Sequence, residues 1–204
     1  MKRRSAPKDS VIFEKGDDGF GLVGVVSGTV RISVASADGR DIVLNIIRPG
    51  EIFGEIALLD GRPRTATATA LSDCDLVVIE RREFIPFLRS EPDVALKLIE
   101  ILCSRLRKTS EKVEDVAFLS LSARLAKTLN WLASTVDTSK SAGKVVFTQR
   151  QLSQMIGGSR ESTNKQLRVW EREGWLRLAP GSITILEPEK LAEFAALGSD
   201  FDVS

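Results

Sequence analysis

Two charged residues in a β-like stretch of the chain raise the first question about its chemistry. In GEIALLDGRPRTATATA, residues 54–70, Glu55 precedes an apolar run and Arg64 is set among small β-forming residues. Charged side chains in such surroundings are costly unless something compensates them. Arg64 and the neighbouring Thr65 can bind a phosphate oxygen, whereas ionised Glu55 only accepts hydrogen bonds and suits a sugar hydroxyl. The pattern fits a ribose phosphate, and an ion pair between Glu55 and Arg64 is the alternative.

A second group of candidate residues lies in QLSQMIGGSRESTNKQLRVWEREG, residues 151–174. Two amphipathic helical patterns are joined by Gly157–Gly158, Ser159 is placed to cap the second helix, and two short strands around APGS follow. This order is typical of a winged helix-turn-helix, whose second helix enters the major groove of DNA. The alternative is a polar helix face that only contacts solvent.

The residue types on that second helix favour contacts with bases. Arg160, Glu161 and Lys165 lie near its start. An arginine can pair with guanine through two hydrogen bonds, and a glutamate can accept from the cytosine amino group. Other polar residues suit phosphate contacts, which position a protein on DNA without reading its sequence: Lys144, Thr148, Ser159 and Ser162.

Composition and charge exclude several classes of site. The chain has 204 residues, a formal net charge of +1 and no histidine, which argues against histidine-dependent acid–base chemistry and the usual zinc sites. Residues 140–178 carry eight basic and three acidic side chains, a local excess that favours anion binding. The two cysteines, Cys74 and Cys103, form no metal-binding pair and are predicted to be packing residues. We expect no metal site and no catalytic residue.

The hydropathy of the chain gives no sign of a membrane protein. No uncharged apolar run approaches the roughly 20 residues of a membrane span. The N-terminal segment, MKRRSAPKDS, is basic and leads into polar residues, unlike a secretory signal. We therefore expect a cytoplasmic protein with no membrane partner.

The elements that must position these residues change character along the chain. The first ~80 residues are β-rich runs separated by glycines, a cadence that predicts a β-barrel or sandwich. The glycines recur at a nearly constant spacing, at Gly16, Gly28, Gly39, Gly50 and Gly61. The ADGR segment, Ala37–Arg40, is predicted to be a hairpin turn.

A long helix is predicted from Glu91 to Ala117, where glycine is absent and proline occurs only in the first turn. Residues at spacings of three and four form one stripe along it: Leu98, Leu102, Leu106, Thr109, Val113 and Val116. Such a stripe is typical of a helix that packs against a symmetry mate. Packing on the chain's own β domain is the alternative. A second helix, LSARLAKTLNWLAS, follows at residues 121–134.

Three segments resemble known proteins. GEIALLDGRPRTA resembles the phosphate-binding cassette of cyclic-nucleotide-binding domains, nearly residue for residue. RLRKTSEKVEDVAFLSLSARLAKTL and GSRES resemble the cAMP receptor protein branch of the CRP/FNR family of transcription factors. The resemblance spans most of the chain and implies an α+β fold: a cyclic-nucleotide-binding, jelly-roll-like β-roll at residues 1–90, a dimerisation helix at 91–117 and a winged helix-turn-helix domain at 118–204.

The resemblance also implies an effector site. Glu55 and the Gly54 backbone would bind the ribose 2′-hydroxyl, and Arg64 with Thr65 would bind the cyclic phosphate. Thr109 and Ser110 match the family's adenine-contacting pair, with Ser110 contributed by the other subunit, and Arg105 lies where a helix arginine approaches the cassette glutamate. The whole implied set is Gly54, Glu55, Ile56, Ala57, Arg64, Thr65, Arg105, Thr109 and Ser110.

The implied function is a homodimeric DNA-binding regulator switched by cAMP. Arg160, Glu161 and Lys165 match the base-reading residues, with Lys165 in place of the more usual arginine; because lysine lacks the planar fork, base preference there is expected to be relaxed. Ligand would act on the helix boundary near Phe118–Leu121 and set two recognition helices about 34 Å apart on a double-stranded pseudo-palindrome. RNA polymerase is a further expected partner.

Three alternatives to this function stay open at the level of sequence. The first keeps the architecture with cGMP, or both nucleotides, as effector, because Thr65, Thr109 and Ser110 can each bond guanine edges. The second is a family member that senses haem, oxygen or 2-oxoglutarate; the absent histidine, the sparse cysteine and the intact cassette argue against it. The third is an enzyme acting on a nucleotide, against which the lack of a recognisable catalytic base or nucleophile argues.

Overall fold

The computed structural model describes residues 1–19, 21–35, 41–135, 144–145 and 147–198. The chain divides into two compact units, residues 1–107 and 108–204. The predicted turn at Ala37–Arg40 lies outside the described residues. None of the described helices combines the length and apolar character that a membrane span requires.

The first unit is built on two antiparallel sheets. Its described strands are β1 (Lys2–Ala6), β2 (Val11–Phe13), β3 (Gly21–Ser27), β4 (Val30–Ala35), β5 (Asp41–Ile47), β6 (Ile52–Phe53), β7 (Thr67–Ala70) and β8 (Cys74–Glu80). One sheet has the order β1-β8-β3-β6 and the other β2-β7-β4-β5. Apolar side chains from both sheets form one buried core, including Val25, Val30, Ile47, Phe53 and Leu76, as expected where half-buried strands pack face to face. The predicted β-roll is confirmed.

The glycines that punctuate these strands occupy the predicted turns. Gly16, Gly28, Gly50 and Gly61 all have positive φ, the backbone region that favours glycine. Gly39 lies outside the described residues. The glycine cadence is therefore confirmed at the four positions that the structure describes.

Three helices accompany the sheets: α1 (Glu55–Asp60), α2 (Arg81–Ser90) and α3 (Pro92–Phe118). Sequence patterns predicted the long α3 to within a residue of its ends. They did not predict α1, which is a short helix inside a β-like stretch, or α2, which contains Pro86.

The apolar stripe of α3 divides into a covered and an uncovered part. Leu98 is buried in a cluster of the first unit with Leu22, Leu58 and Phe84, and Leu102 packs against that cluster. Farther along the helix, apolar side chains stay exposed: Leu106 is 68%, Val113 65% and Val116 62% exposed. The beginning of the stripe thus packs on the chain's own β domain, and the rest is open to another partner.

The prediction for the two cysteines is half right. Cys74 is buried, and its thiol lies 3.2 Å from the Ser72 carbonyl oxygen. Cys103 is exposed on α3, so its prediction as a packing residue is wrong within this chain. Its place on the helix, next to a covered stripe position at Leu102, gave no signal of exposure.

The second unit is a small helical domain with a three-stranded sheet. Its elements after α3 are α4 (Leu121–Thr135), β9 (Lys144–Val145), α5 (Gln149–Ile156), α6 (Arg160–Arg172), β10 (Leu176–Ala179), β11 (Ser182–Ile185) and α7 (Pro188–Leu197). The sheet order is β10-β11-β9, all antiparallel. The predicted helix–turn–helix with a trailing hairpin is confirmed.

The core of this unit explains why its helices hold together. Leu152, Ile156, Leu167 and Trp170 are buried, as the helical patterns predicted, with Met155 and Trp175 packed against them. The final helix α7 adds the fully buried Leu191, and Phe194 meets the Trp170 ring edge-on at a centroid distance of 5.5 Å. Sequence reasoning did not identify α7, although Pro188 at its first position is a helix-start signal.

Candidate functional site

The cassette of the first unit begins with a tight backbone turn between β6 and α1. Gly54 has φ +80°, and a Cβ atom placed there would lie 2.4 Å from Nη1 of Arg64. A side chain would therefore collide with the guanidinium as well as strain the backbone. Gly61 ends α1 in the same left-handed conformation, and its N–H donates to the Ala57 carbonyl at 3.0 Å. Glycine at position 54 allows the arginine to approach the cassette backbone.

Glu55, the first residue of α1, is only 4% exposed. Its Oε1 forms an ion pair with Nη1 of Arg105 at 2.6 Å, and the Arg105 side chain also donates to the Ile52 carbonyl. Arg105 belongs to α3, which is distant from the cassette in sequence. The buried carboxylate is thus compensated by a long-range partner from the helix, as a buried charge requires.

Arg64 is compensated by backbone oxygens and an aromatic ring. It is 8% exposed, and it donates to the Gly54 carbonyl at 2.8 Å and to the Gly21 carbonyl at 2.7 Å. Its guanidinium carbon lies 4.2 Å from the centre of the Phe13 ring, within range of a cation–π interaction. The alternative in which Glu55 and Arg64 form an ion pair with each other is wrong, because each is bound to other groups.

The Arg64 guanidinium retains an unmet donor. Among the described residues no hydrogen-bond partner reaches its buried Nε, a state that the Nε of Arg124 in the second unit shares, although buried donors are nearly always satisfied. Burial lowers the pKa of Arg64, and the carboxylates of Glu55 and Asp17 act in the opposite direction. A buried cation with an unpartnered donor is a group that an anionic ligand would complete.

The other predicted cassette residues differ in exposure. Ala57 is buried beside Gly19, where an added Cβ would lie 2.2 Å from the Ala57 Cβ atom. Ile56 is 46% exposed and Thr65 is exposed next to the buried Arg64. The structure therefore brings Gly54, Glu55, Arg64 and Arg105 together inside the first unit. Thr109 and Ser110 lie on an exposed part of α3 that belongs to the second unit.

Sequence reasoning missed one residue that fixes the cassette helix. Arg81, at the start of α2, donates from Nε to the Leu58 carbonyl at 2.7 Å and from Nη2 to the Leu59 carbonyl at 3.4 Å. It satisfies carbonyls in the last turn of α1, which helix geometry leaves without intrahelical partners. No short-range pattern marks this contact, because the arginine and its partners belong to different helices with a loop and two strands between them.

In the second unit, hydroxyl caps fix the two helices of the helix-turn-helix. The Thr148 Oγ1 accepts from the Gln151 N–H at 3.2 Å, and the Gln151 side chain accepts from the Thr148 N–H at 2.8 Å, which is a capping box. Ser159 accepts from the Ser162 N–H at 3.0 Å, so its predicted capping role is confirmed. The Ser159 hydroxyl also donates to Oγ of Ser162 at 2.9 Å, so the hydroxyls of Thr148, Ser159 and Ser162 all have structural partners. Their contacts with phosphate stay a prediction.

The turn between these helices depends on a close approach. An added Cβ at Gly158 would lie 2.4 Å from Cδ1 of Leu121, the first residue of α4. Gly157 ends α5 with φ +66°. The Gly157–Gly158 pair predicted from sequence thus serves both a left-handed helix end and tight packing against α4.

One face of α6 is buried and the other presents charge. Thr163, Leu167 and Trp170 are at most 1% exposed. The predicted base-reading residues are all exposed on the other face, together with a residue that sequence reasoning counted only as part of the basic excess: Arg160, Glu161, Lys165 and Arg168. Arg168 follows Lys165 by three residues, and this i, i+3 spacing was the signal for it. Lys144 lies in β9, and its backbone pairs opposite Thr184.

Comparison with known sequences assigns both units. Residues 3–91 match the family described as the cyclic nucleotide-binding domain, and residues 123–194 match the Crp-like helix-turn-helix domain. A CRP-like cAMP-activated global transcriptional regulator of Mycobacterium tuberculosis is 33% identical over 192 residues, which is 93% of this chain and 86% of the relative. The chain belongs to the CRP/FNR family.

Other members of the CRP/FNR family show the same agreement in sequence and structure. The cyclic AMP receptor protein of Thermus thermophilus is 32% identical over 96% of this chain and 88% of its own length. A solved CRP/FNR transcriptional regulator of Thermus thermophilus superposes with a TM-score of 0.82 at 27% identity, covering 96% of this chain and 98% of the other. The chain is therefore a CRP-like transcription regulator with a cyclic nucleotide-binding domain and a DNA-binding helix-turn-helix.

The family contains regulators of different effector chemistry. The c-di-GMP-responsive global regulator CLP of Xanthomonas campestris superposes with a TM-score of 0.80 at 25% identity, over 90% of this chain and 93% of that one. Family membership by itself thus defines the architecture and leaves the choice of nucleotide to the residues of the site.

Proposed function

We propose that this CRP/FNR regulator is a homodimer that binds cAMP and, in the bound form, recognises a pseudo-palindromic DNA site. The observation that carries the proposal is Arg64: an arginine only 8% exposed would be an expensive feature of a nucleotide-free fold, and its Nε has no partner among the described residues. A cyclic phosphate supplies the missing acceptor, and the exposed Thr65 hydroxyl beside Arg64 adds a donor to the same anion.

Glu55 is the proposed ribose contact. Its carboxylate has about four acceptor positions, and the ion pair with Arg105 engages Oε1. The ribose 2′-hydroxyl donates to a remaining acceptor position, with the Gly54 backbone close by, while Ile56 and Ala57 line the cassette. Arg105 then connects the sugar-binding carboxylate to α3, the helix that also carries Thr109 and Ser110 for the adenine ring.

The dimer is supported by the uncovered part of α3. Leu106, Val113 and Val116 are largely exposed in the single chain, and exposed apolar side chains in a row are typical of an interface. A second copy packed along this stripe would bring Ser110 of each α3 to the other subunit's nucleotide, as the family resemblance implies.

DNA recognition is assigned to the exposed face of α6. Arg160, Glu161 and Lys165 are proposed to contact base edges. Phosphate contacts, which fix the position of the domain on the duplex, are assigned to Lys144, Thr148, Ser159 and Ser162. Nucleotide binding acts on the junction Leu119–Ser120 between α3 and α4, so that cAMP favours one arrangement of the recognition helices through its differential affinity.

The remaining parts of the proposal follow from this role. A regulator of this class acts on the chromosome, so we place the protein in the cytoplasm with RNA polymerase as a partner. The segment boundaries 1–90, 91–117 and 118–204 remain a prediction. cGMP is the second candidate effector, favoured by the hydroxyls of Thr65, Thr109 and Ser110, which can bond either base.

Calorimetric titration with cAMP and cGMP in parallel tests the effector assignment. We expect saturable binding of cAMP that Arg64→Ala weakens at least about tenfold, because a charged hydrogen bond of roughly 1.5–3 kcal/mol is lost. The matched control is Arg62→Ala, an exposed arginine of the same loop, which should leave the affinity within about twofold. Tighter binding of cGMP would make cGMP the effector, and equal effects of the two arginine variants would contradict the phosphate role of Arg64.

A further inference from the structure

The outward face of α6 carries one side chain that differs in kind from its charged neighbours. Asn164 lies one turn after Arg160 and one turn before Arg168, in the middle of the exposed, charged face. It is only half-buried, whereas its neighbour Thr163 is fully buried in the opposite face. The residue therefore occupies the centre of the surface that we assign to DNA.

Asn164 is held by a side chain from the preceding helix. Nε2 of Gln149 donates to Oδ1 of Asn164 at 2.8 Å. Gln149 is the first residue of α5, and its backbone is fixed by the capping box of Thr148 and Gln151. An anchored donor thus holds the Asn164 amide before any DNA is present.

A second amide on α6 provides a contrast. The Oε1 of Gln166 accepts from the Ser122 hydroxyl at 2.9 Å, and Ser122 is in α4. This contact connects α6 to α4 of the same domain. The Gln149–Asn164 contact is part-buried like the Ser122–Gln166 contact, but it joins the two helices of the helix-turn-helix next to the charged face.

The hydrogen bond decides which end of the Asn164 amide is available. Because Oδ1 accepts from Gln149, the Nδ2 group remains as the donor, and the described residues supply no partner for it. An unrestrained asparagine can rotate to read adenine through both of its ends. A restrained one presents a donor at lower entropic cost, since its rotamer is ordered before binding.

We propose that Asn164 is a specificity-determining residue that donates from Nδ2 to an acceptor on one base edge in the major groove, and that Gln149 is the positioning residue that orients it. The acceptors available there are purine N7, guanine O6 and thymine O4. The proposal rests on the proposed function of the helix-turn-helix, and it adds a base contact between those of Arg160 and Lys165.

The test compares the DNA preferences of matched variants of the full chain. Wild-type protein with saturating cAMP, or cGMP if that is the ligand bound, selects a sequence from a pool of randomised duplexes. Anisotropy titrations at one fixed salt concentration then measure its affinity for every single base-pair variant of one half-site. The same series is run with Asn164→Ala, Gln149→Leu, the double variant, Arg160→Ala and the control Gln166→Ala.

We expect Asn164→Ala to remove discrimination of about fivefold, the worth of roughly one hydrogen bond, at a single base-pair position. Gln149→Leu should relax the same position, and the double variant should add nothing further, since both substitutions remove one contact. Gln166→Ala should leave the preference unchanged at every position. Arg160→Ala should relax a different position.

Other outcomes overturn the proposal. If Asn164→Ala weakens all duplexes equally, the residue contacts phosphate; if it changes nothing, it has no part in recognition. If Gln149→Leu leaves the preference intact while Asn164→Ala removes it, Gln149 does not position Asn164. If Arg160→Ala still relaxes its own base-pair position in any of these cases, only the proposal for Asn164 and Gln149 is contradicted. If the wild-type chain selects no DNA sequence, the proposed function is contradicted as well.

Discussion

The charged side chains of the two candidate sites differ in burial. In the cassette, Glu55 and Arg64 are 4% and 8% exposed and are each compensated by protein groups. On α6, Arg160, Glu161 and Lys165 are exposed to solvent. A buried charge without its partner is expensive, whereas an exposed one is nearly neutral for stability. In the cassette, protein stability and ligand binding therefore depend on the same contacts. On the recognition helix, a substitution can change DNA binding without changing stability.

The difference follows from what each site must bind. A small ligand has to be enclosed, so the groups that contact it lie inside the fold and need internal partners when it is absent. DNA presents its own charged surface, and a protein reads it with side chains that leave solvent only in the complex. Substitutions at the two sites should consequently differ in which measurement they change.

The largest expected effect on stability is that of Arg105→Ala. Removal of this partner leaves the Glu55 carboxylate buried and unpaired, at a cost of about 3 kcal/mol. All three tryptophans, Trp131, Trp170 and Trp175, lie in the second unit. Hydrogen exchange of the α1 and β6 amides, measured over a range of urea concentrations, should therefore show the lower free energy of unfolding of the first unit. The urea midpoint of the tryptophan fluorescence, which reports on the second unit, should change little.

Two further variants serve as controls for this prediction. Glu55→Gln in the Arg105→Ala background should restore most of the lost stability, because no charge then remains buried. Lys127→Ala breaks a more exposed pair with Asp115, at 2.7 Å, and should cost at most about 1 kcal/mol. Equal losses from Arg105→Ala and Lys127→Ala would show that burial of the cassette pair does not matter energetically.

Gly54→Ala should give the next largest loss of stability, and Gly50→Ala is a closely matched control for it. Gly54 and Gly50 have φ values of +80° and +86°, but an added Cβ at Gly50 meets no atom within 4 Å, whereas at Gly54 it meets Nη1 of Arg64. Both alanine variants should lose about 1–2 kcal/mol from backbone strain. Only Gly54→Ala should also lose nucleotide affinity, at least tenfold by calorimetry, because it displaces the guanidinium. Equal affinities of the two variants would refute the role of this close approach.

Arg160→Ala should change DNA binding and leave stability unchanged. The loss of a two-bond contact to guanine costs about 1–3 kcal/mol on the preferred half-site, and an exposed substitution stays within about 0.5 kcal/mol in unfolding free energy. Anisotropy with specific and random duplexes, beside thermal unfolding, separates the two quantities. A stability loss as large as that of Arg105→Ala would contradict the contrast between the sites.

The same contrast explains what could be predicted from the sequence. Short-range sequence patterns identified the exposed site well. They predicted the Ser159 cap, the Gly157–Gly158 turn and the strands around APGS. The cassette was recognisable through its residue types and its resemblance to a known motif. The internal partners of Arg64 were not, because the carbonyls of Gly21 and Gly54 and the Phe13 ring meet it only after the strands have paired.

Errors in the sequence-based predictions have the same origin. An ion pair between Glu55 and Arg64 was a reasonable alternative from their spacing, yet Arg105 binds the carboxylate from a helix that is distant in sequence. The exposure of Cys103 and the short helix α1 also depend on packing rather than on local pattern. Helical spacing did predict the stripe of α3, but only the structure shows that Leu98 is covered while Leu106 is not.

The proposed function links the two sites, because occupation of the cassette controls DNA binding by the recognition helix. This link can be measured as the affinity of the full chain for its selected duplex, by anisotropy at fixed salt, over a range of cAMP concentrations in wild type and Arg64→Ala. We expect saturating cAMP to tighten wild-type DNA binding by about tenfold or more, within the usual range of allosteric coupling, and Arg64→Ala not to respond. DNA affinity that is equal with and without nucleotide, or an Arg64→Ala variant that responds like wild type, would contradict this link.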